Sequence, residues 1–128
     1  ATPTGRFRIF RQWRRADRWT VRVVGLAERR IGRDDGWCEN PADRRYNRPV
    51  KTAPGAAHDR LWREDRLYDF LLELDHNARP RAAGRGSAVF LHLCRPGRTA
   101  TAGCVALEPG DLRRLLPRLS RHVAIEIT

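Results

Sequence analysis

A chain of 128 residues can bury one hydrophobic core but not two, so a single domain spanning residues 1–128 is expected. Its 26 basic and 15 acidic side chains leave a net charge of +11, nearly all from arginine, which draws the chain toward polyanions. No run nears the roughly 18 apolar residues of a membrane-crossing helix, and three cysteines make a poor disulfide framework.

The chain opens Ala-Thr-Pro and contains no Met, so its native start is expected to lie upstream. Arg6 to Phe10 and Arg18 to Val24 read as strands, the second with Trp19, Val21 and Val23 alternating against polar positions. From Gly32 to Gly55 the apolar period disappears among Gly, Pro, Asp, Asn and Arg, which predicts a long loop. Trp37, Cys38 and Tyr46 interrupt that loop, either pinning it to the body or forming part of a binding surface. Ala56 to Arg63 reads as a short helix that buries Leu61 and Trp62. Leu67 to Leu74 reads as a strand with Tyr68, Phe70, Leu72 and Leu74 on one face, turning at Asp75-His76-Asn77. Gly84 and Gly86 precede a further strand, Ser87 to Leu93.

The clearest helix begins near Glu108. Pro109 suits its first turn, and Leu112, Leu115, Leu116 and Leu119 form its apolar stripe. Pro117 ends or kinks it, and His122 to Ile127 alternates as a last strand. The fold class expected is mainly β, with one clear helix.

The chemistry concentrates between Gly86 and Leu107, where His92 lies in an apolar run and Cys104 follows it after a Pro-Gly turn. A thiol and an imidazole brought together by a strand, a turn and a return are the minimum equipment for acyl transfer through a thioester. Free cysteine is mostly protonated at neutral pH and needs a base or a positive potential beside it. Gly103 lets substrate approach the nucleophile, and backbone N–H groups of Gly103 and Cys104 can face an oxyanion. Spacing alone leaves the alternatives open: a buried cysteine is commonly an inert core residue, and a histidine in a strand is often only a hydrogen-bonded one. Cys94 reads as a core residue. Metal is not expected, since His92-x-Cys94 is the only close pair and no C-x-x-C exists. Neither helix-turn-helix, finger nor RNP-like patterns appear, so nucleic acid is not an expected partner.

Taken together, these segments resemble the L,D-transpeptidase catalytic domain, or YkuD domain, of bacterial cell-wall enzymes. TPTGRF from Thr2 to Phe7 is similar to the family's early Thr-Pro-x-Gly-x-Phe element. FLH ending at His92 resembles its histidine strand, and TAGCV from Thr101 to Val105 its cysteine motif. DGWC, YNRPV, LDHN-x-RP, GRGSAVFLH, RPG and GCVAL, in that order, resemble a compact proteobacterial branch.

The resemblance implies a β-sandwich or barrel-like fold, with the clear helix following the nucleophile. It also implies that a preceding strand or two is missing at the N-terminus. Cys104 is implied as the nucleophile and His92 as general base and then acid, with no cofactor and no metal. The implied partner is a peptidoglycan stem peptide, cut at an L–D bond and passed to the side-chain amine of meso-diaminopimelate. In the compact branch the product is a cross-link between L-Ala and diaminopimelate, made in the periplasm or cell envelope. Ala102 and Ala106 stand where the wider family often keeps His and Arg, so carboxylate binding is expected to fall to Arg95. Thr101, Trp37, Tyr46 and Asn47 are the other expected substrate contacts. The rival readings are an L,D-carboxypeptidase, a non-catalytic peptidoglycan-binding module and a basic nucleic-acid-binding domain.

Overall fold

The computed structural model describes residues 5–52, 59–75, 90–94 and 105–127. In chain order these form β1 (Gly5–Arg14), β2 (Glu28–Arg30), β3 (Asp35–Cys38), β4 (Arg48–Lys51) and β5 (Asp59–Arg60). There follow β6 (Phe70–Leu74), β7 (Phe90–Leu93), β8 (Val105–Leu107), α1 (Pro109–Leu115) and β9 (Ala124–Ile127). The fold is mainly β, as expected.

Two sheets result. The larger has the order β2-β1-β6-β7-β8, with β9 pairing the first half of β1, and the smaller has the order β4-β3-β5. Every residue of β6 and β7 is buried, which requires cover on both faces of the larger sheet. Side-chain alternation divides the core accordingly. Phe70, Leu72, Leu74, Leu91 and Leu93 point to one side, where they pack with Trp19, Val23, Leu112 and Leu116. Leu71 and Phe90 point to the other, where they meet Trp13, Trp37, Leu61 and Tyr68. The smaller sheet and α1 therefore cover opposite faces of the larger one.

Four expectations are corrected. Residues 18–24 form no strand, although Trp19 and Val23 are buried as their alternation implied. The buried Gln12 amide holds this segment instead of a ladder: its Nε2 donates to the Val23 carbonyl at 2.7 Å and the Leu26 carbonyl at 3.1 Å, while Val23 N–H donates to its Oε1 at 2.8 Å. The long loop from Gly32 contains β3 and β4, paired Trp37 to Pro49 and Cys38 to Arg48. Their signal was hidden because β3 is only four residues long, and β4 carries a proline that only an edge strand tolerates. Asp59 and Arg60, expected in a helix, pair with Trp37 and Gly36 as β5.

Tyr68 does not share the face of Phe70, Leu72 and Leu74. Arg66 adopts a left-handed conformation (φ 69°), and Asp69 N–H closes a turn on its carbonyl at 3.2 Å, so β6 starts only at Phe70. The C-terminal expectations match. Pro109 sits in the first turn of α1, Pro117 falls in a 3-10 turn over Leu116–Arg118, and Ile125 and Ile127 of β9 face inward. The expected turn after Asp75, the glycines at 84 and 86, and residues 87–89 lie outside the described residues.

Candidate active site

His92 is the third residue of β7 and only 6% exposed. Its Cα is in register with Leu71 on β6 and with Ala106 on β8. Pairing on both sides holds its backbone, and its ring stands nearly perpendicular to that of Tyr68, centroids 5.3 Å apart at 68°. The aromatic contacts continue outward, Tyr68 to Phe90 at 6.2 Å and Phe90 to Trp37 at 5.1 Å.

The imidazole Nδ1 lies 2.7 Å from the Leu93 carbonyl oxygen. A carbonyl can only accept, so Nδ1 carries the proton and the neutral ring keeps its lone pair on Nε2. Burial foremost pushes the His92 pKa below the ordinary imidazole value. The Leu93 hydrogen bond, Asp59 and Asp65 oppose that shift, and Arg63 adds to it. At neutral pH the group is therefore a neutral base with one defined acceptor nitrogen.

Arg95, Thr101, Gly103 and Cys104, together with Ala102, lie outside the described residues. The described chain resumes at Val105, bonded to Cys104, and Val105 is in register with Leu91, the residue before His92. β8 pairs with β7 in parallel, not as the second strand of a hairpin.

Of the residues expected from the long loop, Trp37, Tyr46 and Asn47 are all buried. Trp37 Nε1 donates to Asn47 Oδ1 at 3.3 Å, and Asn47 takes a left-handed backbone (φ 59°) that asparagine tolerates. The structure thus brings Trp37 and Asn47 together behind Phe90. Cys38 and Cys94 are both buried. Burial, Glu108 and Asp111 push the Cys94 pKa up, which keeps it a thiol at neutral pH.

Three residues near His92 carried no recognisable signal in the sequence. Asp59, Arg63 and Tyr68 sit in short or irregular segments far from His92 in the chain, and only folding assembles them. A cavity of about 340 Å³ opens beside Cys94, lined by Arg18, Trp19, Arg66, Asp69 and Arg113 among others. Among the described residues, no group of three or more His, Cys, Asp or Glu side chains gathers as a metal site. Nor is any described helix long and apolar enough to cross a membrane.

Against known families, the L,D-transpeptidase catalytic domain (YkuD) matches residues 1–127. No curated protein and no solved structure matches the chain. Matched over essentially its whole length and folded as a mainly β domain with one short helix, the chain belongs to the L,D-transpeptidase catalytic domain family.

Proposed function

We propose that this chain is a peptidoglycan L,D-transpeptidase of the cell envelope that works through a thioester on Cys104. The observation that carries the reading is His92: a buried, neutral imidazole with its proton fixed on Nδ1 and its Nε2 left as acceptor. A base in that state takes the thiol proton without first losing one of its own.

In this reading His92 Nε2 accepts the Cys104 proton as sulfur attacks the carbonyl of an L–D bond in a donor stem peptide. Backbone N–H groups of Gly103 and Cys104 stabilise the tetrahedral oxyanion. The C–N bond breaks, the imidazolium returns the proton to the leaving D-residue amine, and an acyl thioester remains. The side-chain amine of meso-diaminopimelate on a second stem attacks that thioester and gives its proton to His92. Collapse expels the thiolate, which is reprotonated, and an amide cross-link results. Arg95 and Thr101 are the proposed contacts to the substrate carboxylate and backbone. Trp37, Tyr46 and Asn47 support the site from behind, as their burial favours. We assign the L-Ala–diaminopimelate cross-link as the product.

Purified muropeptides incubated with the protein and separated by mass test all of this at once. Cross-linked dimers joined at L-Ala are expected, and Cys104→Ala is expected to make none while keeping its fold. Trimmed monomers alone would establish a carboxypeptidase, and dimers formed by Cys104→Ala would end the thioester mechanism.

A further inference from the structure

His92 is held by more than its own backbone. Tyr68, only 9% exposed, meets its ring at 5.3 Å, and the Tyr68 hydroxyl donates to Asp59 Oδ2 at 3.3 Å. Asp59 comes from β5, the short strand that pairs with β3, so the smaller sheet reaches the imidazole through one carboxylate and one phenol. We infer that Tyr68 and Asp59 are positioning residues for His92, Tyr68 setting the plane of the ring while Asp59 anchors the phenol and supplies a negative charge toward the imidazolium. This inference rests on the proposed role of His92 as the base.

The surroundings make the assignment selective. From β6 and β8 the register neighbours of His92 are apolar, Leu71 and Ala106. The charged groups that act on the imidazole are Asp59 from β5, with Arg63 and Asp65 from the segment that follows. Arg63 is paired with Asp65 and lies 4.7 Å above the Tyr68 ring. Arg63 opposes the imidazolium, and Asp59 and Asp65 act against it. Burial foremost raises the pKa of Asp59 and of its acidic neighbour Glu39; at Asp59 this is opposed by Arg63, the Tyr68 hydrogen bond and His92. A proton arriving on His92 favours ionised Asp59, and ionised Asp59 favours the imidazolium. The pair therefore stabilises the charge that forms when the thiol is deprotonated. A ring held at a fixed angle by a hydroxyl-anchored tyrosine keeps Nε2 aimed without an added hydrogen bond to the imidazole.

Two readouts decide it. The first is the His92 imidazole titration followed by NMR in the resting protein, which needs no turnover. Asp59→Asn keeps the shape and removes the charge, and its His92 midpoint is expected at lower pH than in the wild type. The second is the pH profile of Cys104 acylation, whose acid limb is expected to move the same way. Tyr68→Leu is expected to slow acylation about tenfold at its plateau with unchanged half-saturation, the loss of part of a general-base contribution. Tyr68→Phe keeps the ring and is expected to lie between it and the wild type, which carries the test if Tyr68→Leu fails to fold. An unmoved His92 midpoint in folded Asp59→Asn, or Tyr68→Phe matching the wild type in both readouts, overturns the inference. A wild-type protein that forms no acyl enzyme would overturn the proposed function instead, while the NMR titration would still decide the Asp59 effect.

Discussion

Single side chains in this protein divide into those that hold charge in the core and those that use it. Glu73, 6% exposed, accepts from Trp13 Nε1 at 2.9 Å and pairs with Arg11 at 3.0 Å. Burial foremost raises its pKa, and the Trp13 hydrogen bond and Arg11 oppose that. Removing Arg11 leaves a buried carboxylate with the Trp13 donor and the charge of Arg29, so Arg11→Ala is expected to cost about 3 kcal/mol in urea unfolding, the low end for a broken buried pair because the arginine is partly solvated and Arg29 remains. Cys94 is the contrasting case. Its raised pKa and burial suit packing rather than chemistry, so Cys94→Ala is expected to lower stability by about 1 kcal/mol and leave acylation of Cys104 unchanged. An acylation defect as large as that of a His92 variant would show that Cys94 has a chemical role.

At the scale of elements, the small sheet matters because it carries Asp59. Gly36, in the middle of β3, has no room for a side chain: an added Cβ would stand 3.1 Å from the Asp59 carbonyl oxygen and 3.1 Å from Thr52 Cγ2. Gly36→Ala is therefore expected to push β5 from β3, costing roughly 1–3 kcal/mol as an overpacked site and displacing Asp59 from Tyr68. Thermal unfolding and the His92 NMR signal measure the two effects separately. The turn before β6 makes the opposite case. Arg66 holds a left-handed backbone that costs a non-glycine residue of order 1 kcal/mol, so Arg66→Gly is expected to raise the melting temperature. These segments were also the least legible in the sequence. DGWC and RPVK are too short to show a period of two, and the apolar alternation of Trp19, Val21 and Val23 was matched by a segment hung from Gln12 instead of a strand. A period reports which side chains are buried. It does not report whether the backbone finds its partners in a ladder or in one glutamine.

For the whole molecule, pH dependence follows from downward shifts in two groups that titrate in different ranges. Burial lowers the His92 pKa, so the native state resists a proton that the unfolded chain accepts near pH 6.5. That contribution to stability is fully present above pH 6.5 and is lost as pH falls through the folded value. The hydrogen bond from Arg15 holds the Asp17 carboxyl down to about 2 against an ordinary 3.8, so its contribution is present above the ordinary value and is lost as pH falls toward 2. Urea unfolding across the pH range is expected to show the difference between wild type and His92→Gln narrowing below pH 6.5, and that between wild type and Asp17→Asn narrowing only below 3.8. Net charge acts at this scale too. At +11 the protein is expected to associate with anionic envelope polymers faster at low salt, a rate effect separate from the chemistry at His92.

The sequence by itself determined the family, the mainly β class, the α1 helix opening at Pro109 and the strand character of β6 and β7. Each of these is written in local pattern: an apolar run, a leucine stripe, a motif in order. Only the tertiary structure decided that β7 and β8 run parallel, that the loop after Gly32 is a second sheet, and that Asp59 and Tyr68 stand behind His92. Those facts depend on contacts between segments distant in the chain, where pairing partners and desolvation, not local periodicity, set which conformation wins.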